Sequence, residues 1–231
     1  MLKFLLVVFA LSWPLQFMGY PHASMLAVAL GTFVVVHLEG GVYPGITLRR
    51  GSELLKAALF GIVVFLPAFY ASPAFRRWFM GQGAIHALVA LLLQIALYVI
   101  YAYGEEVGWR GYLFPVLVER FTPMRALWIH NGVWALWHAP LLLVLGGGMV
   151  EFIANLLGAF VHASLFAYFY HRGGLAVSVL YHALWSGLRD VVLSTGGVEG
   201  LYLPGMVVVF IGTYLTLMPN VWMGGGETAR C

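Results

Sequence analysis

Long apolar stretches separated by short polar interruptions run the length of the chain. Those near 4–19, 22–38, 55–74, 84–103, 125–145, 152–170, 175–194 and 200–219 each approach the roughly 20 residues that cross a bilayer's hydrocarbon core. They predict an all-α, polytopic transmembrane bundle of about eight membrane-spanning helices. A shorter apolar stretch, 111–121, is interrupted by Pro115 and bounded by Arg110 and Glu119. It is too short to cross and is expected to be a re-entrant or interfacial helix. The apolar run behind Lys3 is read as a first transmembrane helix in preference to a signal peptide, because further long apolar runs follow at once. No internal repeat, low-complexity tract or long polar linker divides the chain, so 1–223 is expected to form a single membrane domain. The Gly-rich polar tail 224–231 is expected to be disordered.

Composition strengthens that picture. The chain is 62% hydrophobic with a mean hydropathy of +0.91, and only 9% of it is charged, against about 25% in soluble domains. Its 8 Trp and 12 Tyr suit rings that anchor at the membrane interfaces. A net charge of +3 might suggest a nucleic-acid partner, but the 12 Lys and Arg are scattered singly or in pairs between apolar runs. They are read as topological signals, with membrane lipids as partners and no nucleic acid. With the N-terminus cytoplasmic in a plasma membrane, Arg49, Arg50, Lys56, Arg120, Arg125, Arg172 and Arg230 fall at cytoplasmic ends, and only Arg76 and Arg77 disagree. The 1 cysteine, Cys231, excludes a disulfide framework and a thiolate metal cluster. It is not expected to be part of a lipidation box.

Ionisable residues inside apolar runs are costly and usually face a cavity or a partner. The densest group is Gly104-Glu105-Glu106-Val107-Gly108-Trp109-Arg110. On a helix, Glu106 and Arg110 are i,i+4 neighbours in the favourable order and can pair. Glu105 points about 100° away and has no sequence-local partner, which suits a general base, though a polar helix end at the interface explains the group equally well. Further along, His130, Trp134 and His138 share one helical face, with Pro140 close enough to perturb the helix at His138. His182 and Ser186 lie one turn apart in the run 175–194, followed by Arg189 and Asp190, which are read as marking a wet vestibule in preference to pairing with a neighbouring helix. Asp190 is the only aspartate, so a two-aspartate protease is excluded within the chain. Neither a Gly-x-Ser-x-Gly elbow nor a His-Glu-x-x-His helix is present.

Taken in order over separate helices, these residues resemble the type II CAAX prenyl protease and bacteriocin-processing (Abi) family. The family's Glu-Glu-x-x-x-Arg is intact as Glu105, Glu106 and Arg110. Its Phe-x-x-x-His becomes Trp134-x-x-x-His138, and its His-x-x-x-Asn becomes His182-x-x-x-Ser186. The resemblance covers about 84–190. It implies an intramembrane endopeptidase acting on a membrane-associated or lipid-anchored peptide or protein. Glu105 would activate water with help from His138, while His182 and Ser186 would stabilise the oxyanion. Ser186 is a shorter donor than the family's Asn. The resemblance also implies a metal alternative, zinc held by His138, His182 and Glu105, beside a metal-free glutamate mechanism. Two other classes stay open: a non-catalytic membrane binding or immunity protein on the same fold, and a small transporter with a Glu/His relay.

Overall fold

The computed structural model describes residues 1–146, 148–196 and 201–223. In a bilayer no water reaches the backbone, so each apolar run satisfies its own N–H and C=O groups by coiling. Helices α1 (Leu2–Phe17) and α2 (Pro21–Leu38) form an antiparallel hairpin, closed by a turn at Gly19. Residues 41–50 lack helical structure and lead to α3 (Gly51–Ala71), α4 (Pro73–Gln82) and α5 (Ala84–Glu106). From Glu106 the chain runs through a π-helical segment, Val107–Leu113, into α6 (Phe114–Arg120). Then come α7 (Pro123–Trp137), α8 (Ala139–Val144), α9 (Met149–Gly173), α10 (Leu175–Ser194), α11 (Tyr202–Leu217) and α12 (Pro219–Met223).

The result is all-helical among the described residues, as the hydrophobic pattern requires. Three stretches, Pro21–Leu38, Ala84–Arg120 and Met149–Gly173, are long and apolar enough to cross a membrane by length and composition. The other apolar runs are helical as well, with two differences of detail. The run 125–145 is divided at His138, where Pro140 has no N–H to continue α7 and sits at the start of α8 instead. The stretch 111–121, expected as a separate short helix, is for most of its length a prolongation of α5. Together they make a helical stretch of 37 residues, about 55 Å at 1.5 Å per residue, well beyond the roughly 30 Å of hydrocarbon. The tail 224–231 lies outside the described residues.

Helix α10 sits centrally, packed against α5, α3 and α9. Its start is pinned by the segment before α3. The Thr47 carbonyl accepts from Ala176 N (3.0 Å), and the Arg49 amide donates to the Gly173 carbonyl (2.9 Å). The Thr47 hydroxyl oxygen accepts from Leu175 N (3.0 Å). This approach requires Gly174, whose φ is +88° and at which a Cβ would lie 2.6 Å from the Thr47 carbonyl. On the other side, Gly104 and Gly108 let the end of α5 press against α2. A Cβ at Gly108 would meet Val28 Cγ1 at 2.4 Å and Thr32 Oγ1 at 2.8 Å. Small residues at one-turn spacing are how helices approach closely where lipid supplies no hydrophobic drive.

Candidate active site

The end of α5 presents Glu105 and Glu106 side by side, 1% and 0% exposed, yet their surroundings differ. Glu106 is fully engaged. Arg110 Nη1 donates to its Oε1 at 2.8 Å, the i,i+4 pair expected from the sequence. His182 Nδ1 lies 2.8 Å from the same oxygen, and the Ser178 hydroxyl donates to Oε2 at 2.6 Å. Ser178, His182 and Ser186 follow one another at i,i+4 spacing on α10, so one face of that helix carries all three. Ser186 is itself buried.

Glu105 points to α7. Its Oε1 accepts from the Trp134 indole Nε1 at 2.6 Å, and among the described residues its Oε2 has no hydrogen-bond partner. Ligand-capable atoms of Glu105, Glu106 and His182 all lie within 4.8 Å of one another. His138 is not a member of that group. It stands beside it through Trp134, ring centroids 4.3 Å apart, with Trp137 on its other flank at 4.7 Å. Its Nδ1 is 2.9 Å from the Trp134 carbonyl. A carbonyl only accepts, so Nδ1 carries the hydrogen and the neutral ring offers its lone pair at Nε2. The Arg110 guanidinium is sandwiched by aromatic faces, 5.0 Å from the Trp134 centroid and 4.6 Å from Phe166. Among the described residues, its Nε and Nη2 are buried without a hydrogen-bond partner.

Residues 86–188 match the Rce1-like family, described as type II CAAX prenyl endopeptidase Rce1-like. The motif-bearing segment is thus similar to that family. A CAAX prenyl protease 2 from Methanococcus maripaludis is 45% identical over 40 residues, which is 17% of this chain and 15% of that protein. The aligned stretch is thus a small part of that relative's length. Every residue named for the site, Glu105, Glu106, Arg110, His138, His182 and Ser186, falls within the Rce1-like stretch. Together with the apolar helices long enough to cross a membrane, this similarity suits an integral membrane protein.

The vestibule reading of Arg189 and Asp190 is corrected by the structure. Asp190 Oδ1 accepts from Arg189 Nε at 2.9 Å, and its Oδ2 accepts a hydrogen bond from Tyr98 of α5. The Tyr98 hydroxyl in turn meets His22 Nε2 of α2 at 2.7 Å. These groups bind three helices together. His130 lies in a separate buried chain: its Nδ1 meets the side-chain oxygen of Asn131 at 3.2 Å, and Asn131 donates to Ser164 at 2.7 Å. Two partners escaped the sequence reading. Ser178 is an ordinary small polar residue on an apolar helix, and its only signal was its place one turn before His182. Trp134 was noted as an aromatic ring, not as a hydrogen-bond donor.

Proposed function

We propose that this chain is an intramembrane endopeptidase that hydrolyses a peptide bond in a membrane-associated substrate. The observation that carries the reading is the unequal state of two adjacent buried carboxylates. Glu106 has its charge matched by Arg110 and both oxygens occupied, whereas Glu105 keeps a free oxygen. A positioned carboxylate with a free oxygen is what water activation needs.

In this reading Glu105 Oε2 takes a proton from water, and the second hydrogen of that water is held by His138 Nε2. The hydroxide oxygen bonds to the peptide carbonyl carbon. The carbonyl oxygen, now anionic, is received by the His182 side chain and by the Ser186 hydroxyl. Collapse of the tetrahedral intermediate breaks the C–N bond, and the proton held on Glu105 passes to the leaving amine.

The donor set is a poor fit for zinc. The group within 4.8 Å contains Glu106 in place of His138. Glu106 is already engaged by Arg110, and that guanidinium would oppose a cation beside it. No step is therefore routed through a metal.

The similarity to a CAAX prenyl protease adds a substrate class, a prenylated C-terminal peptide. Orientation follows from charge. Glu53 pairs with Lys56 at 2.7 Å and with Arg172 at 3.6 Å, and Arg49 Nη1 reaches the His171 carbonyl at 3.2 Å, so basic residues gather at one end of the bundle. The positive-inside rule makes that end cytoplasmic, with the N-terminus on the same side, about eight crossings and access to the site from the cytoplasm. The test is cleavage of farnesylated and unprenylated peptides by purified protein in liposomes, using wild type, Glu105→Ala and His138→Ala, each with and without a chelator. Cleavage that ignores the chelator and vanishes in folded Glu105→Ala is expected. A folded wild type that cleaves none of the peptides would replace this reading with that of a binding protein, and activity lost to the chelator and restored by zinc would revive the metal mechanism.

A further inference from the structure

Trp134 touches more of the site than any single residue named for it. Its Nε1–H donates to Glu105 Oε1 at 2.6 Å, its ring lies under the Arg110 guanidinium at 5.0 Å, and its edge meets His138 at 4.3 Å. Its own backbone carbonyl fixes the His138 tautomer, with Nδ1 at 2.9 Å. Trp134 is 4% exposed and Glu105 1%, so water does not compete for this bond. An indole has one donor and no acceptor. It can therefore hold the carboxylate but cannot take its proton.

From these contacts we infer that Trp134 is a positioning residue: its indole N–H orients the Glu105 carboxylate so that Oε2 alone faces the attacking water. This inference rests on the endopeptidase reading and deepens it. A carboxylate on a free χ3 torsion presents either oxygen at a range of angles, since that torsion is broad. Anchoring one oxygen leaves the other at a set direction, and the same residue also fixes the His138 ring through its backbone carbonyl and its indole. The device couples base and assistant through one rigid side chain, and displacement by a fraction of an ångström is enough to lower a rate that depends on near-attack geometry.

The test separates the ring from its N–H. Trp134→Phe keeps an aromatic face, and benzothienylalanine at position 134 keeps the full indole shape with sulfur in place of N–H, so packing and folding are preserved in at least one variant. Both are expected to lower kcat by about tenfold, the scale of one hydrogen bond to a charged group, with KM unchanged. The acid limb of the kcat/KM profile should also be displaced, which lost packing alone would not cause. The second readout needs no turnover: the infrared carboxyl band of Glu105, assigned by loss in Glu105→Gln, should shift in both variants. Unchanged kcat, pH profile and infrared band would overturn the inference while leaving the endopeptidase reading intact. A folded wild type that cleaves no peptide would instead remove that reading itself, and the infrared shift alone would then report whether the anchor exists.

Discussion

Replacing each of the two neighbouring glutamates by glutamine should produce opposite outcomes. In Glu106→Gln the amide oxygen can still accept from Arg110 and His182, and the new NH2 can face the Ser178 hydroxyl, which is able to accept. What is lost is the charge. Arg110 is 0% exposed and loses its 2.8 Å partner, leaving a buried guanidinium with no direct counter-ion. Removing one member of such a pair costs about 3–5 kcal/mol. In a chain of this size 1 kcal/mol moves the melting temperature by about 2–4 °C, so a fall of about 10 °C is expected. In Glu105→Gln the amide oxygen still accepts from Trp134 and no cation is orphaned, so the melting temperature should stay within about 2 °C of wild type. Activity should nevertheless fall by at least about 10²-fold if Glu105 is the proton acceptor proposed above. Intrinsic-fluorescence melts in detergent, run beside peptide turnover in liposomes, read both quantities. A Glu106→Gln protein that melts with wild type, or equal losses of stability in the two variants, would refute the division of labour.

Two further outcomes follow from packing and charge. Gly108→Ala should destabilise despite alanine's better helix propensity, because a Cβ 2.4 Å from Val28 overpacks the α2 contact by about 1–3 kcal/mol. Gly158→Ala, with nothing within 4 Å, should gain up to about 1 kcal/mol in the same melts. At the basic end of the bundle, the Lys56 hydrogen bond holds the Glu53 carboxyl below its ordinary value of 4.5. A depressed folded-state value contributes stability that is present above the unfolded value and lost as pH falls through the folded one. Melting temperature should therefore drop on acidification below about pH 4.5, and Glu53→Gln should remove part of that dependence.

Local rules carried the sequence reading where the partners are local. The apolar runs became helices, the Glu106–Arg110 pair formed at its i,i+4 spacing, and the suspicion raised by Pro140 proved sound, since α7 ends at His138. Partners from distant helices were out of reach. Periodicity shows that Glu105 and Glu106 diverge, but not that Trp134 of α7 meets one while Ser178 and His182 of α10 meet the other. The same limit misassigned Asp190, whose hydroxyl partner Tyr98 lies 92 residues away in sequence. The π-helical segment after Glu106 also gives no periodic signal. It is seven residues long, and hydrophobic spacing cannot distinguish a wider turn over so short a span.

The stretch from Gly104 to Arg110 has two unrelated jobs interleaved in one ribbon of sequence. Its glycines lie against α2, and its charged residues turn toward α7 and α10. Selection on either face preserves the spacing of the other, because both ride on the same helical turns. A descendant that exchanged its glutamates for neutral residues could keep its glycines, its packing and most of its likeness to active relatives. Within such a lineage, the side chain at position 105 would say more about the proposed chemistry than overall similarity does.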